Sequence, residues 1–203
     1  MTPASDVTVR RHPAPDVIPF GRRRSWSRSA LIGLAALVFS GLYFLSDAIE
    51  AAQGGFSVSQ LWLTLLAEAA IPMFVVGLAK VHGRSFGLLG WASASAYAYS
   101  YVFFTGTVVY ALVRHTGSYA ELSRQLGPAM LAHGAVMVVA GIGFGAAVLR
   151  ARVLPRWTAA ALMAGVVLVA VTQTMPTAAG LAAAALRDGA FAGMGLAVLR
   201  SRR

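Results

Sequence analysis

Three features of this 203-residue chain predict an all-α polytopic membrane protein, a bundle of six transmembrane helices with both termini cytoplasmic. The chain is 58% hydrophobic and only 12% charged, whereas soluble domains carry about 25% charged residues. Its apolar residues gather into runs near the ~20 residues that a helix needs to cross a bilayer. Its basic residues crowd alternate loops, the asymmetry that orients such runs. The chain divides into a basic cytoplasmic tail over 1–29 and one membrane domain over 30–203, with spans near 30–48, 60–79, 87–113, 128–149, 157–175 and 178–199.

The tail holds Pro13, Pro15 and Pro19 and then Arg22, Arg23, Arg24 and Arg28. Such a segment cannot build a core, and it ends in a basic collar (Arg22–Arg28) suited to anionic lipid at the membrane surface. The formal charge of +10 does not point to nucleic acid, because the basic residues flank apolar runs rather than forming one face. Sixteen of the seventeen are Arg, with Lys80 the exception, and Asn is absent. That composition reflects a GC-rich genome more than a preference for guanidinium. Cysteine is also absent, which excludes disulfides, thiolate metal sites and thiol nucleophiles.

The first span places Ser40, Tyr43, Asp47 and Glu50 at helical steps on one face. Gly54-Gly55 breaks the chain before the second span, whose polar stripe is Gln60, Thr64 and Glu68. Pro72 removes the amide that would bond the carbonyl of Glu68, so a kink is expected on the turn that carries the charge. Serines, threonines and tyrosines surround the third span, which predicts a central helix whose hydroxyls bond across to neighbours. The loop after it, Arg114 to Gln125, carries Glu121. The fourth span has His133, Met137, Gly141 and Gly145 on one face, and Pro155 starts the fifth. Pro176 turns the chain into the sixth span, which holds Arg187-Asp188 near its centre.

With the amino end inside, the tail, Lys80 and Arg84, Arg150 to Arg156 and the carboxyl end put 14 basic residues on the inner side, against Arg114 and Arg124 outside. Trp26, Trp91 and Trp157 then lie at the inner interface and Trp62 at the outer one. Gly145-Ala-Ala-Val-Leu-Arg-Ala-Arg152 is echoed by Gly195-Leu-Ala-Val-Leu-Arg-Ser-Arg202. Small and aliphatic residues before Arg are how inward-running spans end, so the echo is read as a terminus signature rather than a duplication.

A carboxylate in mid-span costs about 2.5–3.5 kcal/mol, so Glu68 and Asp188 must face protein or water. At 1.5 Å per residue, Glu68 and Arg187-Asp188 fall at similar depth, roughly 10–14 Å below the outer boundary. The expected site is therefore an intramembrane Glu68/Arg187/Asp188 cluster, with Arg187 paired to one acid, that holds a proton or ligand. Asp47, Glu50 and His133 are expected to line a polar vestibule open to the outer side. The bland reading of the same residues is an ion pair that fixes helix registry. The histidines and acids show no metal-ligand spacing, and no cofactor or catalytic motif is present, so no enzyme is predicted.

Leu149-Arg-Ala-Arg-Val-Leu-Pro-Arg-Trp157 leads into an Ala/Gly-rich span and an Arg-ended terminus. In this the carboxyl-terminal half resembles small bacterial six-span integral membrane proteins of unknown function. The resemblance implies the topology and brings no chemistry with it; the expected location is a bacterial inner membrane. Together these features lead to the expectation of a small permease-like or ligand-sensing protein. The alternative is a non-catalytic subunit or scaffold, docking a partner membrane protein or a second copy through small-residue helix faces.

Overall fold

The computed structural model describes residues 28–201, and among these every regular element is helical. The helices are α1 (Arg28–Gln53), α2 (Val58–His82), α3 (Gly87–Arg114), α4 (Tyr119–Leu126), α5 (Pro128–Ala151), α6 (Arg156–Val171) and α7 (Thr177–Arg200). Short 3-10 turns over Gly83–Phe86 and Thr172–Thr174 follow α2 and α6. Five stretches are long and apolar enough to cross a membrane, and the second, Val58–Arg114, is 57 residues long and contains both α2 and α3. Apart from Arg28, the first residue of α1, the expected anionic-lipid collar at Arg22–Arg28 lies outside the described residues, as do most of the tail and Trp26.

Helix ends follow local chemistry. Ser57 caps α2 by accepting from the Gln60 amide at 3.3 Å, and Gly83, with φ at 49°, ends it. Pro72 lies inside α2 without ending it. The segment expected as a loop after α3 contains α4. Ser118 caps that helix by accepting from the Glu121 amide, and the Glu121 side chain reaches back to the Gly117 amide at 3.0 Å. This resembles a capping box, a short-range signal. Leu122 of α4 is buried, and the Phe56 amide donates to the Gly117 carbonyl at 2.9 Å, tying the α1–α2 turn to the α3–α4 turn.

The long helices close into a ring, α1–α2–α3–α5–α6–α7 and back to α1, in which each packs on two neighbours. A shared core of Phe74, Tyr97, Tyr101, Phe144, Leu162, Phe191 and Met194 fills the interior. The third span is thus one member of the ring and not its central helix. Tyr97 and Tyr101 face inward, while Leu88, Tyr99, Val102 and Val113 are exposed. Tyr99 bonds across as expected, to His133 Nε2 on α5 at 3.1 Å, but other hydroxyls stay within the helix. Ser100, Thr105 and Thr107 donate to carbonyls three or four residues back in α3 itself. That local bond is available at every depth of a helix, whatever the neighbour presents.

Two glycines of the repeated Gly-to-Arg motif sit at close helix crossings. A Cβ on Gly195 would lie 2.5 Å from the Gly33 carbonyl oxygen, and one on Gly145 would lie 2.5 Å from Met163 Cγ. Backbones approach this closely only where a side chain is missing. The motif therefore has a packing role at both places.

Candidate functional site

The polar interior lies where α1 packs between α2 and α7. Its centre is Arg187, whose Nε donates to Asp188 Oδ1 at 2.8 Å while Nη2 donates to Asp188 Oδ2 at 3.0 Å. Adjacent residues on a helix point about 100° apart, so this bidentate contact requires the long Arg187 side chain to curl back along α7. Nη2 also donates to Asp47 Oδ2 on α1 at 3.1 Å. One turn earlier on α1, the Tyr43 ring lies against the guanidinium, 4.3 Å from Cζ to the ring centroid. A cation over an aromatic face in a desolvated place contributes about 2 kcal/mol.

Tyr43 has a second contact. Its hydroxyl donates to Glu68 Oε1 on α2 at 2.6 Å. Glu68 is thus linked to Arg187 through one phenol and forms no ion pair with it among the described residues. Of the two pairings expected for Arg187, with Glu68 or with Asp188, the structure shows the one with Asp188 and adds Asp47 as a second partner. Depth placed these groups at one level, but depth does not specify order around the ring. With α1 between α2 and α7, the α1 side chains Tyr43 and Asp47 fill the gap.

Four of the seven acids in the sequence, Asp47, Glu50, Glu68 and Asp188, converge on this α1/α2/α7 region, and Arg187 is the cation among them. Glu68, Arg187 and Asp188 are buried, whereas the Asp47 side chain is 25% exposed, so access improves toward the end of α1. There a second polar group continues the seam. Gln60, which is fully buried, donates through Nε2 to Ser46 at 3.0 Å and Thr64 at 2.9 Å, with Glu50 at 3.5 Å. Ser46 and Thr64 also share a 2.5 Å hydrogen bond. The stripe Gln60, Thr64, Glu68 expected on α2 faces Glu50, Ser46 and Tyr43 on α1, one turn at a time.

Several buried oxygens at the deep end make no hydrogen bond to a described residue: Glu68 Oε2, Tyr97 Oη, Tyr101 Oη and Ser40 Oγ. Tyr101 packs edge-on against both Tyr43 and Tyr97, with ring centroids 6.4 and 5.1 Å apart. Leaving a buried polar group unpaired costs about 1–3 kcal/mol, more when it is charged. Of the four, Glu68 Oε2 is the carboxyl oxygen, and the other three are neutral hydroxyls.

His133 is not part of this region, contrary to the vestibule expected from helix faces. It stacks on Phe103 at 3.6 Å, bonds Tyr99 Oη through Nε2 at 3.1 Å and meets the Ala129 carbonyl through Nδ1 at 2.8 Å. All of these lie on the α3/α5 side of the ring. Tyr43, by contrast, carried no individual role in the sequence reading and is the residue that joins the two halves of the site. Its signal was present: it shares a helical face with Asp47 and is a phenol at the level of an otherwise unmatched carboxylate.

No family model matches the chain, and no curated protein or solved structure is detectably similar to it.

Proposed function

We propose that this is a small permease-like membrane protein in which the Glu68–Tyr43–Arg187 site takes up a proton from the outer side. The reading treats Val58–Arg114 as two spans joined at Gly83–Phe86, giving six spans with both ends cytoplasmic, in keeping with the basic-residue bias. The observation that carries it is the charge balance: one guanidinium among Asp47, Asp188 and Glu68, with Glu68 Oε2 left without a partner. Three ionised carboxyls beside one cation in a low-dielectric interior repel one another, and protonating one relieves that repulsion. Glu68 is the one without a guanidinium contact and is therefore the carboxyl that holds the proton. The partners lie at direct hydrogen-bond distance, which suits a proton better than a bulky solute. The Glu50–Gln60–Ser46–Thr64 seam supplies hydrogen-bonding groups from the α1–α2 turn down to this level.

Reconstitution into liposomes containing a pH-sensitive dye tests the proposal. Wild-type protein should dissipate an imposed pH gradient, and Glu68→Gln, which preserves an acceptor for Tyr43, should abolish that flux. An absent wild-type flux, or an unchanged flux in the variant, overturns it. The alternative of a docking subunit finds less support. Gly33, Gly145, Gly165 and Gly195 are used in packing within the chain, which leaves a partner the smaller set of open positions such as Gly41, Gly106 and Gly134.

A further inference from the structure

We propose that the seam between α3 and α5 binds one anionic phospholipid, with the headgroup at Arg150 and an acyl chain in the groove beyond it. Two depressions lie along this seam. The first, about 300 Å³, is lined by Ser85, Gly87, Leu89, Ala147 and Arg150, where the start of α3 meets the end of α5. The second, about 430 Å³, is lined by Ala92, Ala96, Ala135, Val136 and Val139. Leu89, Ala92 and Ala96 follow one another at helical steps on α3, as do Ala147, Ala140 and Val136 on α5, so both depressions lie on one face. The groove exists because methyl side chains stand there between larger neighbours.

The two parts differ in chemistry, and that difference selects the occupant. The first carries a guanidinium and a hydroxyl, and the second is lined almost wholly by alanine and valine. Lys80, Arg84, Arg150 and Arg152 crowd the same end of the bundle, and none pairs with an acid among the described residues. A soluble anion would leave the apolar part empty. A second copy of this chain would have to meet several unpaired cations with an already basic surface. An amphiphile with an anionic head and an acyl chain matches both parts, and basic clusters at a membrane interface recruit such lipids. The site is independent of the Glu68 region and stands or falls separately from it.

Native mass spectrometry of the full detergent-purified chain, given equal phosphatidylglycerol and phosphatidylcholine, reads the site directly. One phosphatidylglycerol should be retained in preference to phosphatidylcholine. Arg150→Gln should lower that preference about fivefold, the worth of one basic residue near an anionic surface. Val139→Trp should fill the groove and reduce retention of both lipids, and because Val139 is 72% exposed the fold should tolerate it. A triple Arg22→Gln, Arg23→Gln, Arg24→Gln variant should keep the preference, separating this site from the amino-terminal collar. Equal retention of the two lipids, an unchanged preference in Arg150→Gln, loss of preference only in the triple variant, or a Val139→Trp effect confined to a dimer mass would each overturn the proposal.

Discussion

Arg187→Met should be the most destabilising single substitution in the described chain. It removes the partner of Asp188, which is buried, and of Asp47, and it also takes the cation from the Tyr43 ring. Breaking a buried pair from one side leaves an uncompensated charge, at a cost of about 3–5 kcal/mol. Glu68→Gln should cost far less, because a glutamine oxygen still accepts from Tyr43 and the amide is a neutral stand-in for the protonated carboxyl. Helical circular dichroism during detergent-induced unfolding measures both. Comparable losses for the two variants would contradict the placing of Arg187 at the centre of the charges.

Gly165→Val should have the second largest effect. A Cβ at Gly165 would lie 2.6 Å from the Arg187 amide nitrogen and 2.7 Å from its Cα, and backbone cannot yield as a flexible side chain does. The added carbons must push α7 away from α6 at the residue that bonds both aspartates. Overpacking of this kind costs about 1–3 kcal/mol. The same movement should weaken the Arg187–Asp47 contact across to α1. Loss of thermal stability in Gly165→Val, with little change for the same substitution at Gly180, where nothing lies near the Cβ position, is the expected pattern.

The helices were readable from composition and period because long apolar runs fit helices that satisfy their backbone internally, as a chain crossing a membrane must. Predicted and observed ends agree closely at 87–113 and 128–149 against α3 and α5, and α1 runs on to Gln53 where a shorter span was expected. The amphipathic α4 was missed because it is too short and too polar to register as a span, although Ser118 and Glu121 marked its start. At the site, the membership of Arg187 and Asp188 was readable from the cost of burying charge. The Arg187–Asp188 pair was one of the two readable alternatives, whereas Asp47 as a second partner and Tyr43 between Arg187 and Glu68 were not. Which acid meets Arg187 depends on the order of helices around the ring, and depth along a helix carries no information about that order. The placement of His133 failed for the same reason, since its face on α5 was known but the neighbour of that face was not. The aromatic character of Phe103 and Tyr99 explains where it went: a flat ring stacks well on another at the exposed side of α3 and α5.

The α1 face shows how a pattern acquires a mechanism. Ser40, Tyr43, Asp47 and Glu50 form a polar stripe by spacing alone. In the structure, each of the last three meets a partner on another helix: Glu68 and Arg187 for Tyr43, Arg187 for Asp47 and Gln60 for Glu50. A single helix thus links the acid of α2 to the cation of α7.

Infrared difference spectroscopy between acid and alkaline pH, on wild type, Glu68→Gln and Tyr43→Phe, observes the proton most directly. A protonated-carboxyl band should be present in wild type, absent in Glu68→Gln, and shifted in Tyr43→Phe, which removes the 2.6 Å hydrogen bond to Oε1. A band that survives Glu68→Gln unchanged would place the proton on another carboxyl and contradict the assignment of Glu68 as the proton-binding group.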